Sequence, residues 1–185
     1  MSIVRPGLLR KLYDDAQEEA IKGTNDTHTK CWAFWQILVA EAIGELNTYS
    51  VTSVPSFEAS IQDTGITVER YDEDLHTLTT LLCVRCQPPD TSIEEIEQTV
   101  LDAARSHIQK DNLEWIWAMT TIGVSFRMWF IDKDALKLVP MHGMATEGDE
   151  PQYVDANSPE ASIFYDAVRS IKAGLPLSMG HSVRS

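Results

Sequence analysis

From Lys30 to Leu46 the apolar residues Trp32, Trp35, Leu38, Val39, Ala42, Ile43 and Leu46 recur at intervals of three and four. That spacing gathers side chains on one stripe of a helix and predicts an amphipathic helix packed on a sheet. The residues before it are polar, with a short helical pattern from Leu8 to Ile21 and a turn signal at Gly23-Thr24-Asn25-Asp26. Between Tyr49 and Gln87 the texture changes to Val, Thr, Ile and Ser, broken at Pro55, at Asp63-Thr64-Gly65 and at Tyr71-Asp72-Glu73-Asp74. Three strands in an antiparallel meander are expected there. Thr77 to Cys86 is almost entirely apolar or threonine, the pattern of a central strand covered on both faces.

Ser92-Ile93-Glu94-Glu95 has the form of a capping box, and the helix it opens runs to about Lys110 with Ile93, Ile96, Val100, Ala104, His107 and Ile108 on one side. His107 on that stripe reads as a hydrogen-bonded core histidine. Trp115 to Met119 is a buried strand, Thr121-Ile122-Gly123 is a turn, and Val124 to Phe130 is its hairpin partner; Leu136 to Pro140 extends the sheet. After the polar stretch Met144 to Tyr153, Ser158-Pro159-Glu160 opens a closing helix that stops before Gly174 and Pro176. The expected class is α+β, a central mixed β-sheet flanked by helices. The expected division is a helical extension over 1–29, an α/β core over 30–141, and a flexible segment with a C-terminal helix over 142–185.

A chain of 185 residues with 43% hydrophobic residues builds one sizeable core. No apolar run approaches the roughly 20 residues that span a bilayer, and the first residues lack the apolar block of a signal peptide, so no membrane association and an intracellular location, cytoplasmic or nuclear, are expected. Cys31, Cys83 and Cys86 fit a reducing compartment. Cys83-Val84-Arg85-Cys86 has C-x-x-C spacing, but on a strand positions three apart face opposite ways, so the pair reads as structural rather than as a metal or redox centre. The formal net charge of -13 repels polyanions, and no Lys or Arg run offsets it, which argues against nucleic acid as a partner.

The order helix, three-stranded meander, helix, strand hairpin, and in particular Leu82 to Pro88 followed by a capped helix and Asn112 to Trp129, resembles the restriction-endonuclease-like, or PD-(D/E)XK, superfamily and small fungal proteins of that type. The resemblance implies an α-β-β-β-α-β core. In active members a helix glutamate, a strand aspartate and a Glu-x-Lys on the next strand gather Mg²⁺ and activate water. Two hard carboxylates hold the hard cation and the lysine steadies developing charge. Carried onto this chain, the helix acid is Glu41 or Glu45, the aspartate position falls near Thr67, and the Glu-x-Lys positions fall on Arg85 and Gln87. Glu69, on the same strand face as Thr67, is an acid that can migrate into such a site. A cation where a metal-binding carboxylate belongs repels Mg²⁺, so the resemblance points away from metal-dependent cleavage.

No G-x-G-x-x-G, Walker A, G-x-S-x-G or H-E-x-x-H pattern is present, so no cofactor and no metal are expected. Two functional readings follow. One is a non-catalytic nuclease-fold protein that binds another protein as an interaction or regulatory module. The other is a small-molecule enzyme, such as a lyase, cyclase or isomerase of secondary metabolism, that reuses the cleft for a small apolar substrate. In either case Arg85 on a central strand requires a counter-charge, and Glu41 or Glu45 is the expected one.

Overall fold

The computed structural model describes residues 2–23, 27–45, 47–54, 65–87, 91–143 and 152–174. Two helices come first, α1 (Leu8–Lys22) and α2 (Thr27–Ile43). They are followed by a meander of β1 (Tyr49–Val54), β2 (Gly65–Asp72) and β3 (Thr77–Gln87), each antiparallel to the next. Helix α3 (Ile93–Asp111) then carries the chain to β4 (Trp115–Ile122), which lies parallel to β3. A parallel pair needs such a crossover, and the capped, one-sided helix supplies it. β5 (Ser125–Asp132) returns antiparallel to β4, and the short strands β6 (Val139–Pro140) and β7 (Val154–Asp155) both pair with β5. A 3₁₀ turn at Pro159–Ser162 leads into α4 (Ile163–Ala173). The protein is therefore α+β, with a mixed and mostly antiparallel sheet between helices, as its sequence pattern predicts.

α2 is apolar on most of its circumference because it is buried from two sides. Trp35, Leu38 and Val39 belong to the core with Ile66, Val68 and Val84 of the sheet, while Phe34 meets Tyr13 of α1 edge to face at 5.8 Å. Trp35 is fully buried, and its indole N–H donates to the Gly123 carbonyl at 2.8 Å, which ties α2 to the β4–β5 turn. Ile3, Leu9, Tyr13 and Ala16 lie in this same core.

β2 and β3 are out of step at one point: Val68 pairs with Leu82 and Glu69 with Thr80, so Leu81 is an extra residue. The bulge lets Leu81 and Leu82 both enter the main core with Val84 and Cys86, and sends Thr80, Cys83, Arg85 and Gln87 to the face covered by α3. Three local expectations change. The β4–β5 turn is Gly123-Val124, with Gly123 at φ 59°, because Thr121 and Ile122 continue the β4 ladder. The strand expected from Leu136 shortens to Val139–Pro140, since Leu136 has φ 46° and its N–H bonds back to the Asp132 carbonyl in a turn. α2 ends at Ile43, where Gly44 takes φ 68° and its N–H bonds to the Ala40 carbonyl. Leu46, Pro55, the Asp63-Thr64 break and residues 144–151 lie outside the described residues.

Candidate functional site

The cross-strand register decides which of the expected site residues meet. Gly65 stands opposite Arg85, Thr67 opposite Cys83 and Glu69 opposite Thr80. With a side-chain period of two, Thr67, Glu69, Arg85 and Gln87 share the sheet face on which α3 lies. Ile96, Val100, Ala104 and Ile108 bury the inner stripe of α3. Ser92 caps its start by accepting from the Glu95 N–H at 3.2 Å, and Asn112 ends it at φ 49°. The helix lies over β3 and β4. Its flank borders a groove of about 550 Å³ into which Arg85, Glu95, Gln98, Thr99 and Asp102 project.

Arg85 is half-buried at the end of this groove. One Nη1 hydrogen bond goes to the Val84 carbonyl at 3.3 Å, and the guanidinium lies across Gly65. A Cβ at Gly65 would overlap Arg85 Nη1 and stand 2.9 Å from the Val84 carbonyl oxygen, so the absence of a side chain there makes room for the arginine.

The expected pairing of Arg85 with Glu41 or Glu45 does not occur, for two geometric reasons. α2 lies on the other face of the sheet, packed on Val84 and Cys86. It also runs the wrong way: its N-terminal His28 Nε2 bonds the Cys86 carbonyl at 3.0 Å, beside Arg85, so its C-terminal glutamates lie at the far end of β3. Both are exposed, and Glu45 pairs with Lys172 of α4. Among the described residues Arg85 has no ion pair. Gln87 is buried near the end of β3.

A buried charge pair of this face, Glu97 with Arg127, involves none of the expected site residues. Arg85, Thr120 and Arg127 form one row across β3, β4 and β5. Arg127 is 0% exposed; its Nη1 lies 3.5 Å from Glu97 Oε1, its Nη2 donates to Gln152 Oε1 at 3.2 Å, and its guanidinium carbon sits 4.2 Å from the Trp129 ring centre. Alongside it, Trp129 Nε1 donates to Thr120 Oγ1 at 2.9 Å, and Thr120 Oγ1 meets the Tyr153 hydroxyl at 2.7 Å. Burial, reinforced by Glu97, pushes the Tyr153 hydroxyl well above the usual tyrosine range. Both members of the pair had a sequence signal: Glu97 interrupts the apolar spacing Ile93, Val100, Ala104, and Arg127 interrupts the apolar alternation of β5.

At the other end of α3, Thr80 Oγ1 donates to Asp111 Oδ2 at 2.8 Å and lies 3.3 Å from His107 Nδ1. Burial lowers the His107 pKa, with Asp111 opposing and Arg85 assisting. The neutral ring donates its Nδ1–H to the threonine, as expected of a core histidine. Burial pushes Cys31 and Cys86 up to about 12 and Cys83 up to about 11, so all three remain protonated thiols rather than nucleophiles. Cys83 and Cys86 face opposite sides of β3. Among the described residues no three His, Cys, Asp or Glu side chains gather as a metal site, and no helix is long and apolar enough to cross a membrane. The groove thus presents Arg85 with two carboxylates, Glu95 and Asp102, of which Asp102 is already paired with Arg105 at 3.1 Å. No family model, no curated protein and no solved structure matches the chain.

Proposed function

We propose that the protein is a non-catalytic member of the nuclease-like α/β architecture, working as a protein-interaction or regulatory module. The succession of α2, a three-stranded meander, α3 and a strand parallel to β3 supports the nuclease-like core. The observation that carries the functional reading is the position of Arg85. In this reading Arg85 corresponds to the β3 position that a metal-binding carboxylate takes in active nucleases; it shares a sheet face with Thr67, while Glu41 and Glu45 lie on the opposite layer and at the far end of the strand. A guanidinium at that point repels the cation that hydrolysis of a phosphodiester would need.

Purified protein incubated with DNA and RNA in Mg²⁺ or Mn²⁺ is expected to leave both intact. Cleavage that disappears on Glu69→Ala or Glu41→Ala would overturn the reading. The paired variant Thr67→Asp with Arg85→Glu sets two carboxylates on one sheet face, and calorimetric titration is expected to detect Mn²⁺ binding that the native chain lacks.

A further inference from the structure

β1 is the outermost strand of the sheet, and Tyr49–Val54 contains no charged residue and no proline. Its pairing with β2, from Tyr49 opposite Arg70 to Val54 opposite Gly65, runs without a bulge. These are the features by which proteins ordinarily block a strand edge, and β1 has none of them. Among the described residues no strand pairs with its outer side.

Beside this edge lies an open groove of about 630 Å³, lined by residues 47–51 and by Tyr71, His76 and Leu78. The Tyr71 hydroxyl is held 2.8 Å from His76 Nδ1. Tyr71, Leu75 and Leu78 are three of the five large apolar side chains exposed among the described residues, so exposed apolar surface concentrates at this corner. The adjoining turn is acidic. Asp72 is engaged in it, accepting from the Asp74 and Leu75 N–H groups, while Glu73 and Asp74 are exposed. The neighbouring cation, Arg70, points to the other face of the sheet, toward Gly174.

We infer that the β1 edge and this groove take an extended, basic segment of another protein, added to the sheet as a further strand. The inference rests on the interaction-module reading and supplies its surface. The outward N–H and C=O groups of Val51 and Ser53, which no described strand takes, call for a strand as the occupant; the groove takes an alternate apolar side chain against Tyr71 and Leu78; the acidic turn takes a Lys or Arg. A second copy fits less well, because each copy carries a net charge of -13.

The test uses the full chain with a fluorescein-labelled octapeptide of alternating lysine and valine, and a glutamate–valine octapeptide as control. Fluorescence anisotropy is expected to show binding of the first alone. Affinity is expected to fall about tenfold or more in Glu73→Gln/Asp74→Asn and in Ser53→Pro, which removes an N–H that faces away from β2. Hydrogen exchange on the native chain, which needs no variant to fold, is expected to slow at Val51 and Ser53 when the lysine–valine peptide is added. No binding, unchanged exchange at Val51 and Ser53, equal binding by a folded Ser53→Pro variant, or Val51 and Ser53 amides already slow in the free chain would each overturn the proposal. So would a concentration-dependent dimer that Ser53→Pro abolishes, since the occupant would then be a second copy. Metal-dependent cleavage of nucleic acid would sink the non-catalytic reading and leave the peptide result standing; failed peptide binding without cleavage would sink this inference alone.

Discussion

Arg127 on β5 and Glu97 on α3 stand 3.5 Å apart with side chains 0% and 5% exposed, so the principal ion pair between α3 and the sheet is almost fully removed from water. Glu97→Ala removes the carboxylate that faces a buried guanidinium and is expected to cost about 3–5 kcal/mol, whereas Glu97→Leu with Arg127→Met is expected to restore most of that loss. Urea unfolding of the two variants measures both. A loss of less than about 1 kcal/mol in Glu97→Ala would mean that water reaches the pair.

Arg85 is the contrasting case. Lacking an ion pair and only half-buried, it is expected to lose less than about 1 kcal/mol in Arg85→Ala, the scale of a surface substitution. Gly65→Ala is expected to destabilise the native chain, because the new Cβ overlaps the guanidinium. In the Arg85→Ala background that cost should fall but not vanish, since the Val84 carbonyl oxygen remains 2.9 Å away. A thermal-melt double-mutant cycle is expected to give a coupling of about 0.5–3 kcal/mol, and additive effects would place the guanidinium elsewhere.

His107 and His142 have pKa values lowered by burial from the ordinary 6.5. As pH falls, their unfolded imidazoles bind protons before the folded ones, so the contribution to stability is full above the unfolded pKa and is lost as pH drops toward the folded values. Urea midpoints are expected to fall between about pH 7.5 and 5.5, and the slope to flatten in His107→Gln and His142→Gln. An unchanged slope in both variants would place the titrating groups elsewhere.

The three cysteines are buried thiols with raised pKa values. Ellman titration near pH 8 is expected to modify them roughly a hundredfold or more slowly in the native chain than in denaturant. A fast-reacting thiol in the native chain would show that one of these sites is open.

Hydrophobic periodicity reports which residues leave water, and that was enough for the helices and for the main strands. α2, α3 and the β1–β2–β3 meander all stand where the apolar spacing places them. It was also enough for Arg85 and Gln87 to be seen as a cation and an amide on a central strand, and for Cys83 and Cys86 to be set on opposite faces.

The partners of those residues were not determined by the sequence. Glu41 and Glu45 suited Arg85 by charge, but charge carries no information on which face α2 covers or which way it runs along β3. Those follow from the docking of Trp35 and His28 against the sheet. Glu97 and Arg127 lie thirty residues apart in the chain and meet only because α3 crosses over to a parallel β4 and β5 turns back beside it. A single residue, Leu81, sets which side of β3 faces α3 upstream of the bulge. Burial pattern is local along the chain and so can be read from it, whereas electrostatic pairing depends on distances that only the packed structure sets.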